Sequence, residues 1–249
     1  MIPLPAALIF DCDGTIALTG DLHFAAFANA FARQGATLDR AFYNARTGLA
    51  RHALIAEWLA ATGASADPLL LAQDSIAEAA KLARAGHGRP NPPVAALAHA
   101  WGSRPSAVAS NGEGLVVLAT LESCGLRTLF DTVVTLDQVA AAKPDPEMFL
   151  LAALRQGQAP ADCLVLEDSA QGMEAARRAS QTARLNAAEA AKAVKLAAQG
   201  KAEQTTSLLQ LEQLKDELAA RAQVMQARTR RSTHLLGKGR MLRAYPKLK

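Results

Sequence analysis

Aromatic side chains are scarce in this sequence: phenylalanine, tryptophan and tyrosine together make up 4% of 249 residues. With alanine abundant, that scarcity argues against a β-sandwich and for closely packed helices. Cysteine is also sparse. Cys12, Cys124 and Cys163 form neither a Cys-x-x-Cys pair nor an even set, which removes the basis for a disulfide framework and leaves reduced, intracellular thiols as the expectation. No uninterrupted apolar stretch approaches the roughly 18 residues of a membrane span. Nor does a basic segment lead into an apolar run at the N-terminus, as in a signal peptide. A cytoplasmic protein with no membrane segment is the expectation. Acid is missing from one region: residues 228–249 hold eight Lys/Arg and no Asp or Glu.

Half of the residues are apolar, enough for a substantial core, and the length allows one large domain or one with a small accessory. The net charge of +4 hides an asymmetry. Residues 1–179 carry 13 Lys/Arg against 18 Asp/Glu, whereas 180–249 carry 14 against 5. The two parts are therefore read separately.

Short apolar runs recur at 6–10, 107–109, 132–136 and 163–166, each too short for a helix and each ending at polar residues. That pattern suits buried parallel strands. Segments of helical spacing at 114–124, 146–156 and 169–179 lie between or after them. The alternation predicts βαβ units and an α/β, doubly wound parallel sheet. Ligands bind beyond the carboxyl ends of the strands in such sheets. The residues at those ends are Asp11 and Asp13, Ser110 and Asn111, Asp137, and Glu167 and Asp168. The region 18–87 breaks the alternation with predicted helices at 21–34, 42–49, 50–61 and 68–84, punctuated at Gly35, Gly63 and 86–93. It reads as a helical lid inserted after the first strand. The expected organisation is a core of 1–17 and 88–186, a cap of 18–87, and an extension of 187–249.

DCDGT at 11–15, directly after an apolar strand, resembles the first signature of the haloacid dehalogenase superfamily. VASN at 108–111, Lys143 in KPDP, and EDSAQG at 167–172 resemble its second, third and fourth signatures, in order. The resemblance covers roughly residues 4–180 and implies a Rossmann-like core and a phosphoric monoester hydrolase. Such an enzyme faces a dianion that repels nucleophiles and hydrolyses very slowly unaided. The family's answer is a carboxylate that attacks phosphorus and gives an aspartyl-phosphate that water then hydrolyses. By resemblance Asp11 is that nucleophile, and Asp13 protonates the leaving oxygen and then deprotonates the water. Mg²⁺ is the implied cofactor, held by Asp11, the backbone carbonyl of Asp13 and Asp168, with Glu167 acting through or positioning a water. Lys143 bridges phosphate and nucleophile, while Ser110 and Asn111 hydrogen-bond phosphoryl oxygens. Gly14 permits the bend after the aspartates, and Cys12 between them reads as a packing residue.

GDLHFAAF at 20–27 and RTGLARH at 46–52 resemble the cap of the β-phosphoglucomutase-like branch. His23 is expected near the catalytic aspartates. Arg51 fits a second phosphate or a sugar carboxylate, and a surface arginine accounts for it as well. The stretches at 107–114, 130–153 and 163–179 look most like bacterial sugar-phosphate phosphatases of the fructose-1-phosphate/6-phosphogluconate kind. The expected partner is a small phosphorylated metabolite. Two other readings stand beside this one: a phosphosugar mutase, and a degenerate domain whose basic tail binds nucleic acid or protein. The family pattern breaks at Ser180 and Gln181, where a Gly-Met and a further strand are expected. Beyond it Leu208, Leu211, Leu214, Leu218 and Met225 form one helical stripe, more a docking face than a coiled coil. The basic residues 228–249 read as a solvated tail, with anionic partners as the alternative.

Overall fold

The computed structural model describes residues 4–182. The questionable strand near 183–186, the leucine stripe and the basic tail lie outside the described residues. Chain contacts divide the protein after Ser180, and the description that follows concerns the first unit.

The apolar run at the N-terminus forms β1 (Ala7–Phe10), every residue of which is buried. It pairs in parallel with β4 (Ser106–Ala109) on one side and β6 (Cys163–Leu166) on the other. β5 (Thr132–Val134) pairs with β4, giving the order β5-β4-β1-β6. Side chains alternate across a strand. Leu8, Phe10 and Cys12 therefore enter one apolar cluster, which is completed by α5 (Pro92–Trp101) and α6 (Gly114–Ser123). α7 (Glu147–Arg155) packs on the opposite face against β1, β4 and β5. Residues 170–182 are also helical. Cys12 is a packing residue, as its place between two outward-facing aspartates suggests.

The insertion contains α1 (Gly20–Arg33), α2 (Arg40–Asn44), α3 (Arg51–Thr62) and α4 (Pro68–Arg84). Most of the scarce aromatic residues are spent here: Phe27, Phe31, Tyr43 and Trp58 form its core, with the Phe31 and Trp58 rings 4.6 Å apart and edge to face. α1 and α4 approach closely because Ala26, Ala79, Ala80 and Ala83 present no bulk, and their cluster extends to Val116 and Ala119 of α6. Asp67 caps α4 by accepting from the amides of Leu69 and Leu70, with Pro68 in the first turn. α3 stops at Gly63, whose φ of 63° only glycine adopts freely.

Some elements differ from the expectation, among them α5, which the sequence did not reveal. The helix expected at 42–49 runs from Arg40 to Asn44, because Asp39 caps it two residues earlier and Gly48 at φ 88° turns the chain away. The insertion also has a neck not foreseen in the sequence. β2 (Ala17–Leu18) pairs antiparallel with β3 (Arg89–Pro90), and the Asn91 amide donates to the Ile16 carbonyl at 2.9 Å.

Candidate active site

Asp11, Ser110, Lys143, Glu167 and Asp168 come from four separate loops that meet at one end of the sheet, beyond β1, β4, β5 and β6. Lys143 is the hub. Its buried Nζ donates to Asp11 Oδ1 at 2.5 Å, Glu167 Oε2 at 2.6 Å and the Ala109 carbonyl at 3.0 Å. Burial alone would depress the lysine pKa, but the two carboxylates raise it, so the ammonium is fixed as a cation.

Asp11 is pushed up to about 7. Burial is the first cause, and Glu167 and Asp13 add to it against the opposing pull of Lys143. Asp13 moves the other way, to about 2. Burial would raise it, but His23 outweighs this, with hydrogen bonds from His23, Thr19 and Ser110. His23 Nε2 and Thr19 Oγ1 each lie 2.8 Å from Asp13 Oδ1, and Ser110 Oγ donates to Oδ2 at 3.3 Å. His23 thus sits on Asp13, beside Asp11, rather than in a separate core.

The carboxylates of Asp11, Glu167 and Asp168 each offer an oxygen, and these oxygens lie within 4.8 Å of one another. Asp168 is raised by burial and, less strongly, by Glu167 and Asp13, while Thr15 Oγ1 donates to it at 3.0 Å. Four acids thus share a small volume with one lysine. The donor set is hard oxygen, and the charge imbalance is of the sign that a divalent cation corrects, so these residues fit Mg²⁺. The Asp13 carbonyl accepts no hydrogen bond from the described residues and is available as a further oxygen donor. Gly14 is needed here for two reasons. Its φ is 89°, and a Cβ at that position would overlap the Asp168 carboxylate.

The other expected contacts are placed differently. Asn111 uses both ends of its amide on backbone: Oδ1 accepts from the Lys143 N–H at 2.9 Å, and Nδ2 donates to the Gly48 carbonyl at 3.2 Å. It therefore joins the lysine loop to the cap. Arg51 lines the same cavity but is paired with Glu113, its Nε 3.1 Å from each carboxylate oxygen. Glu113 escaped the sequence reading, although its place in the loop after β4, between Gly112 and Gly114, was the available signal. Ser169 was also passed over. Its Oγ donates to Glu167 Oε1 at 2.7 Å, and a side chain at Gly48 would collide with it, so the cap loop rests on the loop after β6 there. The cavity between cap and strand ends measures about 270 Å³, at the small end of the range of about 300–1,000 Å³ usual for small-molecule sites.

Comparison with known proteins shows the family and the fold. The family description "haloacid dehalogenase-like hydrolase" matches residues 5–180. The chain is 35% identical to the fructose-1-phosphate phosphatase YqaB of Escherichia coli over 178 residues, covering 72% of this chain and 94% of that one. A structure of CbbY from Rhodobacter sphaeroides with xylulose-(1,5)-bisphosphate superposes with a TM-score of 0.65 at 29% identity, covering 71% and 83% of the two chains. β-Phosphoglucomutase from Clostridium difficile shares the fold, with a TM-score of 0.61 at 20% identity over 71% and 82%.

Proposed function

The chain belongs to the haloacid dehalogenase-like hydrolases and is a phosphoric monoester hydrolase of that type, and from that premise we propose that it is a cytoplasmic, Mg²⁺-dependent phosphatase acting on a small sugar phosphate through an aspartyl-phosphate on Asp11. The observation that carries the reading is the Asp11–Lys143 contact at 2.5 Å in a cavity that Asp13 and Ser110 also line. Lys143 orients one oxygen of Asp11 and supplies a fixed positive charge where a phosphate would sit. The small cavity and the similarity to a fructose-1-phosphate phosphatase support a sugar monophosphate as the substrate.

Asp11, Asp168, Glu167 and the Asp13 carbonyl would hold Mg²⁺, which when bound neutralises phosphate charge and keeps Asp11 ionised. Asp11 attacks phosphorus, and the leaving oxygen takes the proton shared in the Asp13–His23 hydrogen bond. Asp13, an anion held near 2, then accepts a proton from the water that cleaves the acyl phosphate. Ser110 Oγ, which accepts from the Gly112 amide at 2.9 Å and donates to Asp13, is placed to turn its proton to a phosphoryl oxygen.

The test is phosphate release from a panel of sugar phosphates with Mg²⁺, by the protein and by Asp11→Asn. Release is expected to require Mg²⁺ and to fall more than about 10³-fold in the variant. Undiminished release from Asp11→Asn would overturn the reading. A mutase would instead interconvert phosphosugars and release little phosphate.

A further inference from the structure

Arg51 and Glu113 are a buried ion pair that lines the cavity and takes no part in the chemistry at Asp11. Their side chains are 5% and 10% exposed. Arg51 stands on α3 of the cap and Glu113 in the loop between β4 and α6, so the pair spans the two layers. Further contacts hold both members in place. Arg51 Nη1 donates to the buried Ser75 Oγ of α4 at 3.1 Å, and its guanidinium lies 4.8 Å from the centre of the Phe27 ring of α1. Nη2 takes no protein partner among the described residues. The Glu113 loop is pinned on both sides: the Gly112 carbonyl accepts from the Leu136 amide at 3.1 Å, and the Gly114 amide donates to Asp137 at 2.6 Å. A side chain at Gly112 would crowd Val117, Ser110 and Asp13.

A lone arginine in a cavity built for a phosphate would recruit a second anion. Here the guanidinium is already matched by a carboxylate, so an incoming anion meets no net positive charge. To reach Arg51 it would have to displace Glu113, leaving that carboxylate buried beside a like charge. A hydroxyl group faces no such conflict. It can donate to the Glu113 carboxylate and accept from Arg51 Nη2, leaving the ion pair intact.

We propose that the Arg51–Glu113 pair is the specificity determinant for the part of the substrate that does not react: it accepts the hydroxylated body of a sugar monophosphate and rejects a second phosphate. The proposal rests on the phosphatase reading for the position of the first phosphate. Discrimination comes from the repulsive partner as much as from the attractive one. Glu113 is the residue that sets the sign.

The experiment measures binding without turnover, so that it is separate from the test of catalysis. Fructose 1-phosphate and fructose 1,6-bisphosphate are titrated calorimetrically, with Mg²⁺, into Asp11→Asn protein carrying the native pair, Glu113→Gln, or Arg51→Gln with Glu113→Gln. The native pair is expected to favour the monophosphate by at least about tenfold. Glu113→Gln, which frees Arg51, is expected to shift the ratio toward the bisphosphate by at least about tenfold. The double variant, with neither charge, is expected to show no such gain. A native pair that binds the bisphosphate as tightly as the monophosphate, or binds neither, overturns the proposal. So does a ratio that Glu113→Gln leaves unmoved. Should thermal melting show Glu113→Gln to be unfolded, the native ratio and the double variant decide. Selective binding with no phosphate release from the Asp11 protein would count against the phosphatase reading and leave the selectivity standing.

Discussion

Asp11 and Asp13 are two residues apart, the first buried and the second half-buried, and they are driven in opposite directions, to about 7 and about 2. The difference lies in their neighbours. Asp11 shares its single cation with Glu167, whereas Asp13 has His23, Thr19 and Ser110 to itself. Two identical carboxyl groups are thereby given distinct chemistry. In the proposed mechanism His23 is a positioning residue, and its removal has a specific signature. Without it the Asp13 pKa rises, and Asp13 must be ionised to act as a base. The acid limb of the kcat–pH profile of His23→Ala is expected to move to higher pH, with kcat reduced roughly 10- to 100-fold. A merely structural loss would lower the rate and leave the limb where it was. The acidic positions were legible because ligands of a parallel sheet gather beyond the carboxyl ends of its strands, and Lys143 was legible only through the likeness of its motif to the family's. The pairing of Arg51 was not legible, because a contact across 62 positions leaves no local trace.

Among the elements, α1 and α4 form the closest pair of the cap, and the polar edge of their interface holds one buried acid. Glu78 accepts from Arg33 at 3.0 Å, Asn29 at 3.3 Å and Lys81 at 3.3 Å. Burial would raise its pKa, but these three partners hold it below the usual 4.5. A depressed carboxylate stabilises the fold above its unfolded pKa, and the contribution disappears as pH falls through the lower folded value. Glu78→Gln is thus expected to be less stable than the parent at neutral pH and to lose less stability on acidification. Thermal melts between about pH 6 and pH 3 check this; parallel curves would contradict it. The strands of the four-stranded sheet could be read almost to the residue, since a short apolar run has few alternatives, whereas the two-residue strands of the neck could not. Helix starts were less exact. The Asp39 cap was visible in principle, but the apolar spacing of 42–49 outweighed it. α5 was hidden behind the prolines of 86–93, although Pro92 and Pro93 favour the first turn of a helix.

For the molecule as a whole, the cluster of four acids around one lysine is a standing cost of the metal-free state. A cation that binds only the folded form stabilises it by mass action, by about 2.7 kcal/mol at a hundredfold excess over Kd. For a domain of this size that corresponds to a rise in Tm of roughly 5–10 °C. Added Mg²⁺ is expected to raise Tm, a chelator to reverse the rise, and Asp168→Asn to abolish it. A Tm indifferent to Mg²⁺ would exclude metal binding at this cluster.

The neck formed by β2 and β3 also bears on the entropy of assembling the sheet. β1 and β4 pair in parallel although roughly 95 residues of chain separate them, and closure cost grows as the logarithm of the excursion. Once Ala17 faces Pro90 and Leu18 faces Arg89, the path from Phe10 to Ser106 shortens to roughly 20 residues, a saving on the order of 1–1.5 kcal/mol in that step. The helical insert closes its own loop first. Residues added to its outer turns lengthen only that inner loop, so the cap's size is decoupled from the strands beneath it.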